Sequence, residues 1–178
     1  PNIIRFLSVF ISKKGRLCIV MEYANNGDLL DVLKSKKKKN EHLPEKQILN
    51  WFTQVLLAVK HCHDKNIIHR DIKCENIFLN KDGSVKLGDF GIARMLSNSL
   101  SQAMTQIGTP FNMSPEIFSN QPYSFKTDIW SLGVICYQMC ALKRPFTGKS
   151  LPMLALNIAR GNYDPIPKKY GSGLGDLI

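Results

Sequence analysis

Apolar residues follow two rhythms along this chain, and the change between them divides it. "IIRFLSVFI" and "RLCIVMEY" are short, largely apolar runs parted by Lys13-Lys14-Gly15, which predicts two strands and a polar turn. "NNGD" ends the second run, and Asp28 offers the side-chain oxygen that starts a short helix. From Pro44 the spacing shifts. Ile48, Phe52, Val55, Val59 and Cys62 recur at three- and four-residue steps, the stripe of an amphipathic helix. Pro44 suits its first turn, where a missing N–H costs nothing. "NIFL" and "VKL" then read as short strands joined through Asn80-Lys81-Asp82-Gly83, a hairpin-type turn. A further helix is predicted from about Lys126 to Leu142, apolar on most faces and so expected to run through the core. "ARMLSNSLSQAMTQIGTP" is polar and without period and predicts a mobile loop, and the tail "YDPIPKKYGSGLGDL" also reads as loop. Strands, then a mostly helical body with an embedded hairpin, make an α+β chain without internal repeats or a dividing linker.

Length and composition narrow this picture. The chain has 178 residues, 44% of them hydrophobic, enough for one domain with a real core. No apolar run reaches the roughly 18 residues of a spanning helix; "IWSLGVICYQMCAL" is shorter and carries Gln138. The start, "PNIIRFLSVF", has neither a basic leader nor an initiator Met. The expectation is a cytoplasmic location, no membrane partner, and a chain that is a piece of something longer. Five cysteines form no C-x-x-C pair and cannot all pair with one another; Cys136 and Cys140, one turn apart, read as core packing in a reduced compartment. The net charge of +10 favours acidic partners without specifying any. Part of it is "KSKKKKN", Lys34 to Asn40, read as a solvated loop between two helices, with a docking site as the competing reading. No aromatic residue interleaves that run, so a nucleic-acid groove has no support.

Candidate chemistry gathers in "IIHRDIKCENIFLNKDGSVKLGDFG". The hairpin puts Asn76 and Asp89 at the outer ends of adjacent strands, where an amide oxygen and a carboxylate can converge. Both are hard ligands suited to Mg²⁺ shared with phosphate oxygens. Gly88 and Gly91 let the backbone pass closely beneath such a group. Asp71, on the loop before the first strand, is placed to accept a hydroxyl proton, and Lys73 is a cation able to neutralise a transferring phosphoryl group. Each fragment alone is weak. The ordered set is specific: H-R-D-x-K-x-x-N, D-F-G, G-T-P, S-P-E, D-x-W-S-x-G.

On that set the sequence resembles the eukaryotic protein kinases, over essentially all of its length. The resemblance implies a mainly helical large lobe over 29–178, a hinge over 22–28 and the end of the small lobe over 1–22. It makes Asp71 the catalytic base, Asn76 and Asp89 the Mg²⁺ ligands, and His69 and Phe90 stacked members of an internal spine, to which Phe6 also belongs. Lys73 and Thr109 resemble the serine/threonine type, and "NIFL", "LGDFGIAR", "IGTP" and "LKRPF" the NIMA-related (NEK) branch. ATP and Mg²⁺ follow as cofactors. Met21 becomes the gatekeeper, Glu22 and Ala24 the adenine-binding backbone, Asp28 a neighbour of the ribose, and Phe78 the adenine floor, against the plainer reading of Phe78 as strand core. Arg70, beside a Ser/Thr-rich segment, invites a phosphate. Thr105 is the acceptor that NEK-type spacing selects, with Ser97, Ser99 and Ser101 as alternatives. Phe111-Asn112 and Ser114 depart from the commoner family residues, the first pair at a position bearing on peptide selection.

By the same resemblance the chain opens at the fourth small-lobe strand, and the arginine expected to pair with Glu116 lies beyond "GDLI". The 178 residues hold no G-x-G-x-x-G loop and no V-A-I-K lysine. The isolated chain is therefore expected to be inactive or nearly so. Three readings follow: part of an active NEK-like kinase phosphorylating Ser/Thr hydroxyls of proteins, a non-catalytic binding module or decoy, and a non-kinase phosphate-binding domain. NEK resemblance implies substrates linked to microtubules, centrosomes or cilia, and the basic surface suggests acidic or microtubule-associated partners.

Overall fold

The computed structural model describes residues 1–90 and 111–178. Strands β1 (Phe6–Ile11) and β2 (Leu17–Met21) pair antiparallel, with a register shift between Phe6 and Ser8. Helices α1 (Leu29–Lys38) and α2 (Glu45–Asp64) follow. Next come a 3-10 turn at Cys74–Asn76 and the hairpin of β3 (Ile77–Leu79) and β4 (Val85–Leu87). Beyond residue 110 lie α3 (Pro115–Phe118), α4 (Phe125–Ala141), α5 (Leu151–Arg160) and α6 (Ser172–Gly175). This is the α+β arrangement the sequence predicts.

The apolar stripe of α2 is buried at all five positions named above and packs against Leu132, Ile135, Cys136 and Met139 of α4. Burying a side chain of that size stabilises the fold by about 1.5–3 kcal/mol, so these two helices form the frame. The small hairpin is seated on it. Gln54 of α2 donates to the Gly83 carbonyl and accepts from the Val85 amide and from Asn2 Nδ2, which also bonds the Val85 carbonyl. Gly83 turns the hairpin at φ 85°, a conformation open to glycine at little cost. The other edge of β4 pairs with the chain start through Ile4 N–H to Leu87 O and Leu87 N–H to Asn2 O.

Three expectations need correction. "KSKKKKN" is no loop: α1 runs through Lys38, and Asp28 caps it by accepting from the Asp31 amide at 2.9 Å. Lysine is a good helix former, and Lys36, Lys37 and Lys38 fall in the last turn, where cations meet the negative end of the helix dipole. Pro44 sits one residue earlier than expected, as the N-cap of α2. The tail is more ordered than a loop. It contains α6, and it is tied to the start of α2 by Tyr170 O–H to Leu43 O at 2.9 Å and Gly171 N–H to Glu45 Oε2 at 2.9 Å. The expected mobile loop over 93–110 lies outside the described residues.

Candidate active site

The segment from His69 to Asn76 is held from below by one buried carboxylate. Asp128, in the first turn of α4, is 1% exposed. Its Oδ2 accepts from the His69 amide at 2.9 Å and from His63 Nε2 at 2.7 Å, and its Oδ1 accepts from the Arg70 amide at 3.0 Å. A buried carboxylate is tolerated when donors satisfy it like this. Asp128 belongs to D-x-W-S-x-G, and the order of the motifs does not reveal this anchoring. The signal was present: a charge at the start of a helix otherwise apolar on most faces.

His69 joins the two halves of the site. Its Nε2 faces the Gly88 carbonyl at 3.0 Å, and its Nδ1 accepts from the Asp71 amide at 3.3 Å. A carbonyl can only accept, so Nε2 carries the proton and the ring is the neutral tautomer. Burial also holds its pKa below the usual histidine value, overriding the nearby carboxylates of Asp128, Asp71 and Asp89. The ring packs on Phe90 with centroids 4.6 Å apart, the contact expected of the spine.

Around Asp71 the expected residues come together. Lys73 Nζ lies 2.8 Å from Asp71 Oδ2. Asn76 Nδ2 donates to the Asp71 carbonyl at 2.8 Å and to Oδ2 at 3.1 Å. Both donors hold Oδ2, which fixes the carboxylate in place. Asn76 is 3% exposed, and among the described residues no hydrogen bond uses its Oδ1. The strand pair brings Asp89 alongside, because Gly88 N–H donates to the Asn76 carbonyl at 3.0 Å. Asp89 itself is exposed and sits at φ 55°, and Arg70 at φ 70°. Both are non-glycine residues in the left-handed region, a conformation that costs energy and clusters at functional sites. A spare amide oxygen next to an exposed carboxylate is a donor set that fits Mg²⁺.

Residues 21–28, expected to face adenine, run beside β3 and β4. Glu22 accepts from the Arg5 amide through Oε2 and pairs with Lys86 at 2.8 Å through Oε1; these contacts hold its carboxyl below the usual range. Among the described residues no backbone hydrogen bond uses the Glu22 carbonyl or the Ala24 amide. Met21 is about half exposed at the end of β2. Residues 26–28 are laced to β3 by Asn26 N–H to Leu79 O and Leu79 N–H to Gly27 O, and Asp28 bridges to Phe78. Phe78 is half-buried, and its ring lies against Gly88, where an added Cβ would come within 2.9 Å of it. Arg70 projects over the Tyr123 ring at 5.5 Å, and among the described residues no carboxylate pairs with it. Glu116 accepts from Thr127 Oγ1 at 3.0 Å. Thr105 and Thr109 lie outside the described residues, as do Ser97, Ser99, Ser101 and Gly91.

The described residues thus hold a fixed carboxylate beside an ammonium, a spare amide oxygen and a second, exposed carboxylate. The protein kinase domain family matches residues 1–165, and the chain belongs to that family. Along its whole length it is similar to serine/threonine kinases named Nek. It is 50% identical to Nek5 of Homo sapiens and 48% identical to Nek3 of Mus musculus. It is also 44% identical to Nek2 of Mus musculus. The chain spans 25%, 34% and 42% of those three proteins. Among the described residues no helix is long and apolar enough to cross a membrane.

Proposed function

We propose that the protein carrying this chain transfers the γ-phosphoryl group of Mg-ATP to serine or threonine hydroxyls of protein substrates. The observation that carries this reading is the pinned Asp71 Oδ2, held by Lys73 and Asn76 beside the Gly88–Asp89 strand end. Asp71 orients the acceptor hydroxyl and takes up its proton. Lys73 balances charge on the transferring group, and Thr109 is the further catalytic residue that the family resemblance implies. Asn76 Oδ1 and Asp89 would hold Mg²⁺, which supplies charge neutralisation at the phosphate oxygens. The Glu22 carbonyl and Ala24 amide read the adenine edge, with Met21 behind it, Phe78 beneath it and Asp28 toward the ribose. In this arrangement residues 1–22 end a small lobe, 22–28 form the hinge and 29–178 belong to the large lobe.

Replacing Asp71 by Asn in the full-length protein should lower the transfer rate by about 10²–10⁴-fold while leaving ATP binding in place. Peptide phosphorylation and nucleotide titration on the same preparation check this. Undiminished transfer by Asp71→Asn removes the assignment. ATP binding without transfer in the parent favours a binding module. Transfer depends on positioning and charge stabilisation. The 178-residue polypeptide by itself, without a glycine loop or V-A-I-K lysine, is therefore expected to show almost no turnover.

Arg70 receives a phosphate placed on Thr105, which turns the enzyme on. Its guanidinium has no carboxylate partner among the described residues, which supports that role. Equal activity of Thr105→Ala and the parent would remove it. The cytoplasm and its microtubule-based structures are the proposed setting, with acidic partners favoured by the charge of +10. Cosedimentation with microtubules that ignores salt, or none at all, would argue against that partner.

A further inference from the structure

A cavity of about 490 Å³ opens between α1 and the connection from α4 to α5. Lys34 and Lys37 of α1 face Lys143 and Arg144 across it, and Leu30, Leu33 and Leu142 supply apolar lining. Among the described residues Asp164 is the one acid of the lining, and it is already paired with Lys143. Asp31 reaches Lys34 only at 4.0 Å, with both side chains about 70% exposed, so it offsets little of that charge. Lys36, Lys38 and Lys39 continue the positive stretch along the helix end, with Glu41 answering Lys36.

Two contacts connect this cavity to the catalytic segment. Gln138 lines it and accepts from the buried thiol of Cys74, the residue after Lys73. Arg144 lies 3.5 Å over the Phe111 ring, and the neighbouring Asn112 donates to the Ile72 carbonyl at 3.2 Å. The guanidinium is thus anchored over an aromatic face, with less freedom to lose on meeting a carboxylate.

We infer that this cavity, between the lysine face of α1 and Lys143-Arg144, docks an acidic segment of the protein substrate while its hydroxyl lies at Asp71. The inference rests on the proposed kinase activity for the identity of the occupant. Among the described residues four cations and one acid line the cavity, and even with Glu75 near Arg144 the excess of cations calls for carboxylates. Among the described residues no aromatic side chain lines the cavity, so stacked bases of a single-stranded nucleic acid find no platform there. Proximity to Cys74 and Phe111 makes the occupant a part of the substrate.

The test uses the full-length protein and two labelled peptides that share one serine and differ only in a run of flanking glutamates or glutamines. Fluorescence anisotropy should show the glutamate peptide binding about tenfold tighter at low salt, with the gap closing near about 0.5 M salt. Lys34→Glu/Lys37→Glu should erase that preference. Lys13→Glu/Lys14→Glu, an equal charge change on the distant β1–β2 turn, should keep it. In turnover, the cavity variant should raise KM for the glutamate peptide alone, with kcat unchanged. Equal binding of both peptides, equal losses in both variants, or preference for a single-stranded RNA oligonucleotide overturns the proposal. Binding is read without turnover, so an inactive protein that still selects glutamate would sink the kinase reading and leave the acidic site standing.

Discussion

Gly88 shows how little room the site leaves. A Cβ there would lie 2.9 Å from Phe78 Cε2 and 3.0 Å from Ile4 Cγ1, so Gly88→Ala must displace the ring. We expect a loss of about 1–3 kcal/mol in stability from overpacking, seen in denaturant melts, together with weaker nucleotide binding. His69 makes a different demand. It is buried as the neutral ring, with a pKa below the 6.5 of a free histidine. Below that value the unfolded chain takes up a proton that the native ring resists, so folding stability should fall as pH drops through about 6.5. At higher pH this contribution is fully present. Urea midpoints at pH 7.5, 6.5 and 5.5 check the sign, and His69→Phe should flatten the trend in that window. Carboxylates with lowered values, such as Glu22, act only further into acid.

The element scale turns on α4. Its start is fixed by a capping box, with Lys126 N–H donating to Ser124 Oγ and Ser124 N–H to Thr127 Oγ1. Ser124→Ala should cost about 1 kcal/mol, measurable by thermal melting. Asp128 one residue later is a larger matter. Asp128→Ala leaves two amides and His63 without their acceptor, and we expect about 3–5 kcal/mol of destabilisation, with loss of the Asp71 geometry. This scale also shows what the sequence makes legible. The stripe from Ile48 to Cys62 could be read because burial on one face imposes a 3.6-residue period, and the hairpin because Asp82-Gly83 is turn chemistry. The lysine run reads as loop because its charge speaks for solvent, whereas helix propensity and the dipole carry the backbone on. The roles proposed for Asp71, Lys73 and Asn76 rest on their order, and the structure brings the three side chains together. Their anchoring was not legible, since Asp128 is 58 residues from Arg70 and only the packing of α2 against α4 brings them together.

At the scale of the whole molecule, packing is uneven. One core cluster joins α1, α2, the hairpin and α4, and a second, around Phe146, Leu154 and Ile158, secures α5. The β1–β2 ribbon stands apart: Phe6, Val9, Phe10, Leu17 and Ile19 are all more than half exposed. A two-stranded hairpin alone is marginal in water. Amide exchange in the 178-residue polypeptide should therefore be fast over β1 and β2 and slow over α2 and α4, and equal protection would contradict this division. The same unevenness governs thiol chemistry. Cys62, Cys74, Cys136 and Cys140 are buried, whereas Cys18 on β2 is partly open. Burial further raises the pKa of Cys62 and Cys74 and keeps their thiols protonated. An alkylating reagent at neutral pH should thus find one fast-reacting sulfur in the folded chain and five after denaturation. Cys18 then becomes a ready-made attachment point for a fluorophore or crosslinker on the strand that leads into the hinge, without engineering any residue of the catalytic segment.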